Sequence, residues 1–263
     1  MFGRSMCTLA VLSSLLFSQQ QVSTRPERDT QAVEILERVE QVAGGAQVLA
    51  SVHDTTEYGE ITFYWGHNIK GPLVIRTLGG NHFRMEATLP QGKSTWIVKD
   101  GVGSKKESEK TLSISRENAL NLGNLTFPAG HVAAALTDST TNVSFVGVEK
   151  RDDTSVYRIR VKGRLGLASD GTPTSVVKDL IINALTYDIL SVEDHPYRTY
   201  KNGGKPSDAA PRVINFGDYR AVSGVRVPFS VSTKLQGQQT LSIQLNEVSL
   251  NNNLTASDFQ LQK

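Results

Sequence analysis

The tightest constraint on this chain is the two-residue alternation of its last third. In Val225-Arg-Val-Pro-Phe-Ser-Val-Ser-Thr-Lys-Leu235, the residues Val225, Val227, Phe229 and Val231 share one phase, and Arg226, Ser230 and Ser232 the other. Successive side chains of a strand point to opposite faces, so the run predicts a strand with one buried and one wet face. Ser223-Gly224 joins it to Val213–Val222, and Gly237 turns it into Leu241–Leu250. The apolar phase slips between Leu245 and Val248, which predicts a β-bulge or a change of pairing. Pro228 cannot donate to a ladder and predicts an edge or locally bulged strand.

The same pattern recurs upstream. Leu73–Leu78 and His82–Leu89 read as a hairpin around Gly79-Gly80-Asn81, with Phe83, Met85, Ala87 and Leu89 in phase. Ser94–Lys99 ends at the two-residue turn signal Asp100-Gly101. Val143–Lys150 and Val156–Lys162 join through Arg151-Asp152-Asp153, and Tyr157, Ile159 and Val161 alternate with Arg158, Arg160 and Lys162. Val176–Leu185 and Tyr187–Val192 continue the series. About ten or eleven strands joined by short turns specify a mainly antiparallel β protein.

Two stretches have helical spacing instead. Thr30–Gly44 places Val33, Leu36, Val39 and Val42 on one side and Glu34, Glu37, Arg38 and Glu40 on the other. Asp29 or Thr30 caps its start and Gly44-Gly45 stops it. Ser115–Gly123 and Ala129–Leu136 read as two short helices around Pro128. Rich in Ala and Leu, they need apolar surface to cover, and the natural target is the concave face of a curved sheet.

Residues 1–23 differ from the rest. Arg4 is the only charge before Arg25, and an apolar run, Cys7 to Phe17, leads into Ser18-Gln-Gln-Gln-Val-Ser23. A positive start, a short apolar core and a small polar exit form the pattern of a secretory signal peptide. At about half the ~20 apolar residues that span a bilayer, the run is too short for a membrane helix. Cleavage is expected to leave a mature chain starting between Gln19 and Thr24, with no transmembrane segment. A buried N-terminal helix is the alternative. The apolar run follows Cys7 rather than preceding it, the wrong order for a lipid anchor. As Cys7 is the sole cysteine, a mature chain of 24–263, read as one domain, holds no disulfide.

Charge excludes some partners. The chain has 28 basic and 26 acidic residues, spread along its length, so it has no basic stripe for nucleic acid. The histidines at 53, 67, 82, 131 and 195 show no metal-ligand spacing. Glu193-Asp194-His195-Pro196 reads as a solvated turn, with Pro196 marking a strand end. Nucleophile-elbow, Walker and Rossmann glycine patterns are lacking. The expectation is therefore no metal, no cofactor and no catalysis, with an exported hydrolase as an outside reading because paired glycosidase carboxylates leave no local motif.

The order of elements resembles the LolA/LolB-like superfamily of lipoprotein-sorting proteins. Asn215-Phe-Gly-Asp-Tyr-Arg-Ala-Val-Ser-Gly-Val-Arg-Val-Pro-Phe229 is similar to a turn-and-strand segment of that superfamily, and Ile243-Gln-Leu-Asn-Glu-Val-Ser-Leu250 through Phe259 to its ending. The likeness spans roughly 30–261 in topology and 213–259 in wording. It implies a curved antiparallel half-barrel with an N-terminal amphipathic helix and short lid helices, holding a lipid, an acyl chain or a lipoprotein in its hollow. Trp65, Phe83, Met85, Trp96, Val98, Leu120, Val132 and Leu136 are the candidate lining residues, with ordinary core as the alternative. The runner-up function is a regulatory or scaffolding module of the cell envelope, with a protein partner at the loop Tyr197–Ala210.

Overall fold

A computed structural model describes residues 26–64, 66–114, 119, 122, 125–167, 173–198 and 212–261. The proposed signal sequence, Trp65 and Leu120 lie outside these residues. So does the candidate partner loop, apart from the backbone at 197 and 198, where a strand ends.

Thirteen strands form one antiparallel sheet. They are β1 (Asp54–Phe63), β2 (Ile69–Leu78), β3 (His82–Leu89), β4 (Gly92–Lys99), β5 (Val102–Glu107), β6 (Lys110–Ile114), β7 (Asn142–Arg151), β8 (Thr154–Leu167), β9 (Pro173–Asn183), β10 (Ile189–Arg198), β11 (Arg212–Val222), β12 (Val225–Leu235) and β13 (Gln238–Leu250). Their order is β6-β5-β4-β3-β2-β1-β13-β12-β11-β10-β9-β8-β7, so β6 and β7 are edges and the sheet does not close. The first and last strands meet at its centre. Among the described residues, the helices are α1 (Thr30–Val42), α2 (Ala46–Ala50) and α3 (Ala129–Thr137), with a 3-10 turn at Ala256–Phe259; most of the expected helix at Ser115–Gly123 lies outside them.

Thirteen strands exceed the ten or eleven expected, and β1, β5 and β6 are the ones whose composition hides them. In β1, Asp54, Glu57 and Glu60 interrupt the apolar phase, and β5 and β6 carry more Lys, Ser and Glu than apolar residues. Their hydrogen-bonding neighbours hold them in the sheet, a tertiary effect that overrides composition.

The slip at the end of β13 is a bulge. Tyr58 pairs with Glu247 and Gly59 with Leu245, leaving Asn246 unpaired and both Leu245 and Val248 buried. A Cβ on Gly59 would sit 2.3 Å from the Gln244 carbonyl oxygen and 2.8 Å from Leu245 Cα. These are backbone atoms that cannot step aside. Gly59→Ala is expected to cost about 1–3 kcal/mol, as overpacking does, read as a lower melting temperature.

Strand β12 is interior rather than an edge. Its pairing with β13 starts only at Ser230, so around Pro228 its ladder partner is β11 alone. Pro228 therefore costs no ladder bond on the β13 side, and Arg226 N instead donates to Ala43 O at the end of α1. Pro196 is accommodated in the same way. Beyond Asp194, β10 pairs only with β9 among the described residues. The segment Glu193–Pro196 is consequently strand, not the solvated turn its sequence suggests.

Asp29 caps α1 by accepting from Ala32 N at 3.0 Å. The buried face is Ala32, Ile35, Leu36 and Val39, with Val33 and Val42 only partly covered. Together with Ala129, Val132 and Ala135 of α3, this face joins the concave core of the sheet. The residues quoted for the family likeness are structural. Tyr219 donates its hydroxyl to Ile189 O at 2.7 Å, and Phe259 is buried behind β3, where Arg84 Nη1 donates to Asp258 O and Gln260 O.

The convex face of β7–β10 carries a charge lattice. Arg158 reaches Glu149, Asp179 at 2.7 Å and Glu193 at 2.9 Å, Arg160 reaches Asp179, and Arg151 reaches Glu193. Burial pushes the Asp179 carboxyl up, but Arg160 and Arg158 outweigh it and hold the group below its ordinary value.

Candidate ligand cavity

One end of the half-barrel opens into a cavity of about 540 Å³. Its position follows from strand direction. The ends of β1, β3, β5 and β12 and the starts of β2, β4, β11 and β13 meet there, and inward residues near those termini have no helix packed on them. Phe63, Ile69, Met85, Leu89 and Trp96 form one wall, Leu235 and Leu241 the other. Leu122 and Leu125, just ahead of α3, lean over it, with Ile114 beside them. The volume falls within the roughly 300–1,000 Å³ typical of small-molecule sites, and the lining is mostly apolar, as such sites require.

Trp96 anchors the first wall. It faces Met85 across β3 and Lys105 across β5. Its ring lies 5.9 Å from that of Phe63, and Lys105 Nζ stands 4.8 Å from its centroid, a cation–π contact. Lys105 is also paired with Glu107. Gln91, Thr233, Thr240 and Arg212 add polar groups to the lining.

Of the residues singled out from sequence, the structure brings Met85 and Trp96 to the cavity wall. Phe83 and Val98 share their strands and face but lie two residues deeper, in the closed core. Val132 is 0% exposed on the inner side of α3, and Leu136 of the same helix packs against the core. Ile69, Leu89, Leu235, Leu241 and Arg212 were missed. The available signal was position: each lies near a strand end, where the roof stops.

Deeper still on the concave face is a buried carboxyl. Glu57 is 0% exposed and faces Ile75 on β2 and Val248 on β13. Its Oε1 accepts from Thr55 Oγ1 and from Thr126 Oγ1, each at 3.1 Å, while Oε2 is buried without a partner. Burial pushes this carboxyl up to about 7, against the opposing hydrogen bonds from Thr126 and Thr55. Because Thr126 follows Leu125, this bond ties the cavity roof to the central strand.

A second hollow, of about 610 Å³, lies on the convex side between β2–β4 and the C-terminal turn. Its charges answer one another. Glu86 pairs with Arg76, Arg84 and Lys93. Burial raises the Glu86 carboxyl, but these cations outweigh it and bring the group down to about 2. Among the described residues no group of three His, Cys, Asp or Glu could hold a metal, and no helix is long and apolar enough to cross a membrane.

No family model matches this sequence, and comparison with curated proteins gives no match. Solved structures do match. A putative outer membrane lipoprotein-sorting protein domain from Vibrio parahaemolyticus aligns over 87% of this chain and 96% of its own, with a TM-score of 0.50 and 11% identity. A LolA superfamily protein from Nitrosomonas europaea aligns over 88% of this chain and 97% of its own, with a TM-score of 0.51 and 11% identity. The chain therefore has a LolA-like fold, a curved open antiparallel sheet with helices in its hollow.

Proposed function

We propose that this protein is an exported, non-enzymatic binding protein that holds the acyl chain of a lipid or lipoprotein in the cavity at the open end of its half-barrel. The observation that carries this reading is the apolar hollow itself. It is large enough for a small-molecule ligand, walled by Phe63, Met85, Trp96 and Leu241, and lined mostly by apolar side chains. Burial of an acyl chain contributes about 0.8 kcal/mol per CH₂, so such a site needs no polar chemistry to extract lipid. One of the two solved structures named above is of a putative outer membrane lipoprotein-sorting protein domain and the other of a LolA superfamily protein, which agrees with the reading. Export rests on the signal pattern of residues 1–23.

The purified protein is expected to bind a fluorescent fatty-acid analogue saturably, with a dissociation constant in the micromolar range or below, equivalent to about −8 kcal/mol. Ten buried CH₂ groups supply about that much before ordering costs are subtracted. Leu241→Gln sets an amide against the chain and should weaken binding by about 1–3 kcal/mol. As Leu241 is only partly buried on the cavity wall, the ligand-free melting temperature should hold within a few degrees. Absence of saturable binding by the wild type would remove the carrier reading. Native mass spectrometry of protein from its host separates the envelope-module alternative, which expects a stoichiometric protein partner and an empty cavity.

A further inference from the structure

The hollow on the convex side, across the sheet from the acyl cavity, is built around charge. Arg76 of β2 stands directly opposite Arg84 of β3, a pairing of like charges that is unfavourable in a sheet. Lys93 of β4 lies diagonally across from Glu86. Arg76, Arg84 and Lys93 converge on the single carboxylate of Glu86, at 2.8, 3.0 and 2.6 Å. The C-terminal turn forms the far side. Asp258 lines the hollow, but its carboxylate caps its own turn, accepting from Thr255 N at 2.8 Å and Thr255 Oγ1 at 3.0 Å. Toward β3 the turn offers peptide carbonyls instead, and Arg84 Nη1 donates to Asp258 O at 3.1 Å and Gln260 O at 2.7 Å. A carbonyl accepts such bonds without neutralising the guanidinium. Three cations therefore meet two carboxylates, and only Glu86 is bonded to them.

The three cations differ in how far the protein satisfies them. Arg84 is buried and bonded through both Nη atoms, while its Nε is buried without a partner. It is a fixed positive floor. The Arg76 side chain is 27% exposed and, among the described residues, bonds only through Nη1, to Glu86. That leaves its Nε and Nη2 hydrogens, the edge of the guanidinium that grips a phosphate bidentately. The Lys93 side chain is 59% exposed, and its Nζ has Glu86 alone among the described residues. At about 610 Å³ the space beside them is of ligand size.

We propose that this hollow is an anion site that takes a phosphate group, held by Arg76 and Lys93 in front of the buried Arg84. Glu86 fixes the spacing of the three cations. Because Arg76 and Lys93 bond the same carboxylate, their nitrogens lie close enough for one phosphate to touch both. A phosphate has more terminal oxygens than a carboxylate, which suits donors arriving from two different strands. The site is on the opposite face from the acyl cavity and stands independently of the carrier reading. Two sources carry this chemistry, a soluble phosphomonoester and a phospholipid head group, and the test separates them.

The full chain is titrated calorimetrically with inorganic phosphate at an ionic strength of about 0.15 M, where exposed charges are largely screened. It is also sedimented with phosphatidylcholine vesicles, with and without phosphatidic acid. The wild type should bind phosphate saturably, with a dissociation constant of about 1 mM or below. Arg76→Gln and Lys93→Gln should each weaken binding about fivefold or more, and Arg76→Lys should keep part of the affinity. Lys150→Gln, which removes an exposed cation on the distant edge strand β7, should leave binding within about twofold. Capture by the phosphatidic acid vesicles alone, lost in Lys93→Gln, places the phosphate on a lipid. Phosphate binding without capture places it on a soluble compound. Failure of the wild type to bind either probe overturns the inference. So does equal binding by wild type and Lys93→Gln, or equal weakening by Lys150→Gln. Lys93 is exposed enough to be replaced without threatening the fold, so a poorly folding Arg76→Gln does not spare the inference.

Discussion

Phe83→Ala should lower the stability of the ligand-free protein by about 3–5 kcal/mol, the cost of emptying a buried aromatic site. Phe83 is 1% exposed, opposite Thr77 on β2 and Val98 on β4, within the concave core. For a chain of this size each kcal/mol displaces the melting temperature by roughly 2–4 °C, so thermal denaturation reads the effect easily. Below the transition, the variant should still bind an acyl probe with near wild-type affinity, because the cavity wall begins two residues closer to the mouth, at Met85. The opposite pattern, intact stability with lost probe binding, would mean that ligand reaches deeper than the roof allows. The contrast with Leu241→Gln, expected to weaken binding at nearly constant stability, separates core from cavity on one face of one sheet.

Stability should also fall as pH rises from about 4.5 to about 7, and Glu57→Gln should abolish that fall. In the unfolded chain Glu57 titrates near its ordinary value of 4.5, whereas burial raises it to about 7 in the folded protein. Between these values the folded state holds a proton that the unfolded state has released, so stability decreases with pH. Below 4.5 both states are protonated and the contribution is fully present. Above 7 both are ionised and the loss levels off. One pKa unit corresponds to about 1.4 kcal/mol, so the whole window is worth on the order of 3 kcal/mol. Chemical denaturation at a series of pH values measures it directly. A Glu57→Gln profile parallel to wild type across this window would show that the carboxyl is better solvated than its buried, half-partnered position implies.

Local chemistry was enough to foresee much of this architecture. Of the two caps expected for α1, Asp29 is the one used, the phase slip after Leu245 is a bulge at Asn246, and the alternating run from Val225 is a strand with Val227, Phe229 and Val231 buried. The turn at Asp100-Gly101 has φ of 50° and 77°, the left-handed pair that its residues favour. What failed did so where pairing overrode composition. Strands β5 and β6 look too polar to be strands, and Pro196 looks like a terminator, yet each lies in the sheet because its neighbours supply the ladder: β5 pairs with β4 and β6, and Pro196 stands opposite Val176 of β9.

Alternation in the sequence determined which residues face inward, because the pleat has a period of two and the inward set is the apolar set. It could not divide that set into core and cavity. Phe83 and Met85 are equivalent by every local measure, and only the reach of α1, α3 and the roof residues Leu122 and Leu125 makes one a core residue and the other a wall. Nor could it bring Lys178, Asp194 and Arg212 into line. Those residues are separated by 16 and 18 positions, and their alignment depends on the registers of two strand pairs, β9 with β10 and β10 with β11. Register is fixed by the summed burial of whole strands rather than by any residue alone, so this charged row exists only in the folded sheet.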